Sequence, residues 1–205
     1  MNKYVAYCPI LLITTALGLG AQNLGANSDC ATNPPDFITL SYEEANNAVK
    51  SEESSILGKR TKKICPEYIT NLGNQLRRGD LRSDSKVLGI YLLGTLHPGD
   101  TNSVEVLIQY IDLRASKFDG KSAVRRWGEY PAAEALMKIG KPAVNPTLNH
   151  LPDEGGKIRR HLMCDVLKKV LGVNAAQDEV RRGLFEESGL TRRANLELAL
   201  AEFGR

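Results

Sequence analysis

Residues 124–151 read VRRWGEYPAAEALMKIGKPAVNPTLNHL. Ala133, Leu136 and Met137 stand three and four positions apart, the spacing of one face of an α-helix. Gly140-Lys141-Pro142 then ends that helix, because glycine accepts the left-handed conformation of a helix stop and proline fits the first turn of the next helix. Val144, Leu148 and Leu151 make a second apolar stripe directly after the break. So short a connection makes the two helices antiparallel neighbours. A unit of this size cannot bury its apolar face alone and has to stack on others.

The unit recurs. Val124-Arg125-Arg126, Ile158-Arg159-Arg160 and Thr191-Arg192-Arg193 restart the same pattern at intervals of 34 and 33 residues. Seven residues after each second arginine stands Ala133, Leu167 or Leu200, and ten residues after it stands Leu136, Val170 or Phe203. Recurrence at this period points to stacked helical hairpins with a continuous core. Further stripes lie at Ile69, Leu72 and Leu76; at Val87, Ile90 and Tyr91; at Val104, Leu107, Ile108 and Ile111; at Met163, Val166, Leu167 and Val170; at Val180 and Leu184; and at Leu196, Leu200 and Phe203. Gly79-Asp80, Pro98-Gly99-Asp100, Pro152-Asp153, Gly172 and Gly189 separate them. No stretch sustains a two-residue alternation, so the expected class is all-α.

With those residues in place, 124–151 resembles the HEAT-like repeat in the short form also found in phycobilisome lyases, most closely in AAEALMKIGKPAVNPTLNHL. In that family an alanine-rich second helix ends in a small residue, here Gly140, and a loop of the Lys141-Pro142-Ala143-Val144 kind opens the next repeat. The resemblance runs in degenerate form from Pro66 to Phe203. KIRRHLMCDVLKKVLG, at 157–172, keeps the phase but replaces the alanines with larger side chains. Trp127-Gly128-Glu129-Tyr130-Pro131 departs from the pattern as an insertion between the arginine pair and its helix. The resemblance implies a short α-solenoid of three to four antiparallel helix pairs over 66–205. It also implies a binding scaffold as the function, with a lyase-like or accessory enzyme or an envelope structural component as alternatives.

The N-terminus has a secretory layout: Lys3, an uncharged apolar run from Tyr4 to Leu19, then small residues at Gly20-Ala21. Cleavage is expected between Gly20 and Gln22, giving a signal peptide over 1–21 and an exported, periplasmic or secreted, product. A spanning helix needs about 20 apolar residues, and this run is short and broken by Pro9 and Gly18. Tyr7 is too bulky to precede a lipidated cysteine at Cys8. Residues 22–65 form a polar extension, loosely attached, with one helix starting at Ser41, where Ser41-Tyr42-Glu43-Glu44 has capping-box spacing. Asn102-Ser103-Val104-Glu105 has the same spacing at a later helix start. The chain has 27 basic and 24 acidic side chains, so loss of Lys3 leaves 27 − 1 = 26 against 24. Near neutrality argues against a nucleic-acid partner, whose phosphates demand a basic surplus.

Three cysteines remain after processing. Cys30 and Cys65 lie where regular packing is weakest, and an oxidising compartment permits a disulfide between them or leaves both as thiols. Cys164, among Met163, Val166 and Leu167, reads as a buried small apolar residue. His161, Cys164 and His150 lack a fourth ligand for zinc, and a Cys–His nucleophile pair lacks an orienting group. Glu43-Glu44 and Glu186-Glu187 diverge by about 100° as consecutive helical residues and read as solvated faces. No catalytic residue, metal or cofactor is expected. Arg125, Arg126, Arg159, Arg160, Arg192 and Arg193 have two readings. They form a basic ladder that grips carboxylates of a partner, with Trp127 and Tyr130 as aromatic anchors, or they pair internally with Asp119, Asp153, Glu154 and Glu187 and hold the repeats together. The expected function is an exported, non-enzymatic scaffold that binds another protein through one face.

Overall fold

The helices begin and end where the chain's chemistry stops them. The computed structural model describes residues 30–31, 33–57, 63–96, 99–115 and 128–204. In chain order these form β1 (Cys30–Ala31), α1 (Tyr42–Leu57), β2 (Lys63–Ile64), α2 (Pro66–Leu76), α3 (Ser83–Leu96), α4 (Thr101–Gln109), α5 (Pro131–Ile139), α6 (Val144–His150), α7 (Lys157–Leu171), α8 (Val173–Glu186) and α9 (Leu190–Phe203). The class is all-α. Among the described residues, extended pairing is confined to a two-residue parallel contact that sets Cys30 opposite Lys63 and Ala31 opposite Ile64.

Capping explains most of the boundaries. At α1 the Ser41 hydroxyl accepts the Glu44 N–H at 3.3 Å and the Glu44 carboxylate accepts the Ser41 N–H at 2.9 Å, a complete capping box. The box expected at Asn102 does not form. Asp100 caps α4 instead, accepting the Ser103 N–H at 2.9 Å and its hydroxyl at 2.7 Å, and Glu105 turns to His150. Pro66 and Pro131 open α2 and α5, where a missing N–H costs nothing. Of the glycines between helices, Gly140 and Gly172 take positive φ, 77° and 84°. Gly189 keeps a φ of −78° and serves as the N-cap of α9.

The odd-numbered helices touch in the order α1, α3, α5, α7, α9, and the even-numbered ones in the order α2, α4, α6, α8. Each even helix also packs on the odd helix that follows it, giving the pairs α2/α3, α4/α5, α6/α7 and α8/α9. The stripes read from the sequence supply the shared core: Leu72, Leu76, Ile90, Leu107, Ile111, Leu136, Leu167 and Val180 are all buried. Gly89 lets α2 and α3 approach, since a Cβ there would lie 2.7 Å from Leu76 Cδ2.

The segment before α2 is more firmly attached than its polar composition implies. Phe37, Ala45 and Val49 are buried in the common core, and α1 lies along α3. The Phe37 N–H donates to Gln75 Oε1 at 3.0 Å, Arg82 donates to the Leu40 carbonyl at 3.1 Å, and the Tyr91 hydroxyl donates to Glu53 at 2.7 Å. Few apolar residues are available in this segment, but Phe37, Ala45 and Val49 point inward. Its outer side, with Glu43, Glu44, Asn47, Ser51 and Ser54 exposed, closes that end of the helix rows with a polar surface.

Candidate functional site

Two loops share one geometry. Glu154-Gly155-Gly156-Lys157-Ile158-Arg159 leads into α7, and Glu187-Ser188-Gly189-Leu190-Thr191-Arg192 leads into α9. In each, one glutamate oxygen accepts the N–H of the glycine two residues on, at 2.9 Å, while the other accepts Nε of the arginine five residues on, at 2.6 Å. The same arginine then reaches an aspartate in the loop one helix pair earlier. Arg159 Nη1 donates to Asp112 Oδ1 at 2.8 Å, and Arg192 Nη1 donates to Asp153 Oδ1. Arg159 also donates to the Ile108 and Gln109 carbonyls at 3.2 Å each, at the C-terminal end of α4.

The second arginine of each pair works on the backbone. Arg193 Nη1 donates to the Leu184 and Glu187 carbonyls at 3.0 Å each, and the buried Arg160 donates to the Gly155 carbonyl at 3.3 Å. Asn195 reaches the Pro152 carbonyl at 2.8 Å. Carboxylate electrostatics follow from these contacts. Hydrogen bonds from the Arg192 guanidinium, then from the Gly189 N–H, hold the Glu187 carboxyl below the usual range. Arg159, Arg160, Arg192 and Arg193 thus occupy equivalent places at the starts of α7 and α9, engaged with this chain's own acids and carbonyls.

The first pair is different. Arg125, Arg126 and Trp127, with Asp119, lie outside the described residues, and α5 begins only at Pro131, so no arginine stands in its first turn. Tyr130 is half-buried at the N-cap of α5 and packs against the core. An ion pair joins Arg114 to Glu129, and the Ala115 N–H donates to the Glu129 carbonyl at 2.8 Å.

Two open grooves of about 470 Å³ repeat along the even-numbered helices. One lies among Arg77, Glu105, Gln109, His150 and Arg159, the other among Asn149, Glu179, Arg182, Glu187 and Arg192. In the first, His150 Nε2 is 2.5 Å from Glu105; in the second, Arg182 is 2.9 Å from Glu179, and Glu186 also lines the wall. His161 lies 3.3 Å from both Asp165 and Glu202, away from His150. Cys164 is a free, fully buried thiol near the Ala199 carbonyl, pushed up to about 12 by desolvation, which disfavours the thiolate near neutral pH. Among the described residues no group of three or more histidine, cysteine or acidic side chains is arranged to hold a metal. Cys65 is disulfide-bonded, and its N–H donates to the Ala31 carbonyl at 3.0 Å, beside β1. The Cys30 side chain lies outside what is described.

The residues that sequence reasoning passed over sit on the last helix pair. Phe185 and Leu190 are 89% and 86% exposed on either side of the α8–α9 loop, and Leu198 and Val173 are half exposed. Glu186, between Phe185 and Glu187, is exposed and makes no hydrogen bond or ion pair among the described residues. Their signal was present as a misfit: Phe185 and Leu190 fall off the buried stripes of α8 and α9.

Fold and site together define an all-helical protein of packed helix pairs, cross-linked from one pair to the next by arginine. No family model, curated protein or solved structure matches the chain.

Proposed function

We propose that this chain is an exported, HEAT-like α-solenoid that binds another protein and performs no catalysis of its own. The two ordered rows of helices, the 33-residue recurrence of the Arg159 and Arg192 bridges, and the signal-like N-terminus support that reading. The observation that carries it is the exposure of both Phe185 and Leu190, five positions apart across the α8–α9 connection. Large apolar side chains clustered in water mark a contact surface, and aromatic anchors concentrate binding energy. The binding face is therefore placed on α8 and α9. Of the arginines with two readings, a basic ladder for a partner or internal pairing, Arg159 and Arg192 bridge helix pairs.

The test is capture from the exported protein fraction of the source cell by the processed chain. Phe185→Asp with Leu190→Asp should abolish retention while leaving the helical circular dichroism intact. Arg125→Ala should leave it unchanged. Retention of the same proteins by the Phe185/Leu190 variant would move the binding face elsewhere, and retention of nothing by the unaltered chain would remove the scaffold reading.

A further inference from the structure

The groove between α6 and α8 combines an apolar floor with one uncompensated carboxylate. Val180 and Leu196 are buried in that floor, with buried Pro152 and half-buried Leu148 beside them. Gly183 lies in the wall, and at 183 − 33 = 150 the neighbouring groove carries the His150 ring instead. A Cβ on Gly183 would meet Leu196 Cδ1 at 3.9 Å, so the place of a side chain there is open apart from ordinary contact with the floor. Over the floor stand three glutamates and two arginines. Arg182 closes on Glu179 at 2.9 Å, and Arg192 closes on Glu187 at 2.6 Å and on Asp153. Glu186 is the carboxylate left over, with no hydrogen bond or ion pair among the described residues. It is also the last residue of α8, where the helix dipole presents its negative end. The neighbouring groove has the opposite balance, with Arg77 and Arg159 against Glu105 alone.

We propose, resting on the scaffold reading above, that this groove seats a lysine side chain of the partner protein, with its four-carbon stem on Leu148, Val180 and Leu196 and its ammonium on Glu186. Charge complementarity selects a cation, since one carboxylate is unmatched and the end of α8 adds to it. The apolar floor selects a long stem, because lysine lays its methylenes along apolar surface while the ammonium stays in water. Arginine suits the rim less well. Its planar fork needs paired acceptors, and the oxygens flanking Glu186, on Glu179 and Glu187, are already held by Arg182 and Arg192. Glu186 follows the exposed Phe185 directly, which ties the groove to the binding face on α8 and α9.

The probe is capped lysine, N-acetyl-lysine methylamide, titrated into the full processed chain labelled with nitrogen-15 and followed through backbone amide shifts. Saturable millimolar binding is expected, with shifts at Val180, Gly183, Glu186 and Leu196 and none at Gln109 or His150 in the neighbouring groove. Capped norleucine keeps the stem without the charge, and capped diaminobutyrate keeps the charge on a shorter stem; each should bind about threefold more weakly. Glu186→Gln, at an exposed site, should bring lysine down to the norleucine level. Gly183→Leu should abolish binding without lowering the melting temperature, because leucine forms helix better than glycine and a Cβ has space there. Equal binding of lysine and norleucine, shifts that map outside the groove, or no saturable binding would overturn the assignment. So would a concentration-dependent dimer of the unaltered protein that Gly183→Leu disperses, which gives the groove to a second copy. If capped lysine fails while the whole chain still captures exported proteins, the groove is wrong and the scaffold stands. If capped lysine binds as described and the unaltered chain captures nothing, the groove stands as a lysine site and the scaffold reading falls.

Discussion

The Arg159 guanidinium lies 2.8 Å from the Asp112 carboxylate, 47 positions earlier in the chain. One side chain thereby joins the start of α7 to the loop after α4, linking two adjacent helix pairs. Arginine suits the task because its planar fork can address Glu154, Asp112 and two carbonyls at once, which a lysine ammonium cannot. Arg159 is 26% exposed and Glu154 15%, so solvent screens the network less than an open surface pair.

Replacing Arg159 with lysine should therefore destabilise the fold although the charge is kept. A loss of about 1–2 kcal/mol is expected from the broken charged hydrogen bonds, read as a lower midpoint in urea with an unchanged slope. Arg181→Lys should stay within about 0.5 kcal/mol of the parent, since Arg181 pairs with Asp178 three residues away on a solvated helix face. Equal effects at the two sites would show that the bridge is ornamental.

Gly140 and Gly172 end α5 and α7 with φ of 77° and 84° and ψ of −134° and 156°, a region open essentially to glycine alone. Alanine at either position should cost about 1–3 kcal/mol by thermal or urea unfolding. Gly79 has ordinary φ and open space where a Cβ would go, and Gly79→Ala should be neutral or slightly stabilising. A neutral Gly172→Ala would contradict the observed backbone.

Much of this architecture was legible because burial follows periodicity. The eight stripes from Ile69 to Phe203 became α2 to α9, and the breaks at Gly79, Gly99, Gly140, Pro152, Gly172 and Gly189 fall between helices. The extension was misjudged because Phe37, Ala45 and Val49 are too few to show a stripe, although each is fully used. The α4 cap was misplaced by two residues because Asp100 and Asn102 both qualify locally; in the fold Asp100 takes the Ser103 N–H and Glu105 lies against His150. Spacing marked the arginines as equivalent, but their direction depends on acids 39 and 47 residues away, a relation that no local pattern encodes. The exposed end of the stack escaped for the opposite reason, since a residue off a stripe reads as an ordinary surface side chain.

Acid should weaken the fold in a defined way. The Ser41 hydroxyl and then its N–H hold Glu44, and Arg192 and then the Gly189 N–H hold Glu187, below the ordinary value near 4.5. A carboxyl with a depressed folded pKa stabilises above the unfolded value and loses that contribution as pH falls through the folded one. Melting temperature should be flat from about pH 7 to about pH 5 and decline below about 4.5, less steeply in Glu187→Gln. An unchanged acid slope in that variant would exclude Glu187 as a contributor.

Cysteine chemistry gives a count. Cys65 is bonded and Cys164 is buried and free, and pairing of Cys65 with Cys30 is our proposal. The processed chain should show no reactive thiol when native, one when denatured without reductant, and three after reduction. Peptide mapping should place the cross-link between 30 and 65. Three thiols before reduction would rule the disulfide out.

Export has its own readout. The intact mass of the protein recovered outside the cytoplasm should correspond to a chain starting at Ala21 or Gln22. Recovery of the full-length mass from that fraction would count against a cleaved signal.

The most direct test of arginine bridging between helix pairs is a double-mutant cycle across Arg159 and Asp112 by urea unfolding, using Arg159→Ala, Asp112→Ala and the pair. The two side chains meet through one charged hydrogen bond within a shared network, so a coupling of about 1 kcal/mol is expected. Additivity to within about 0.3 kcal/mol would contradict it.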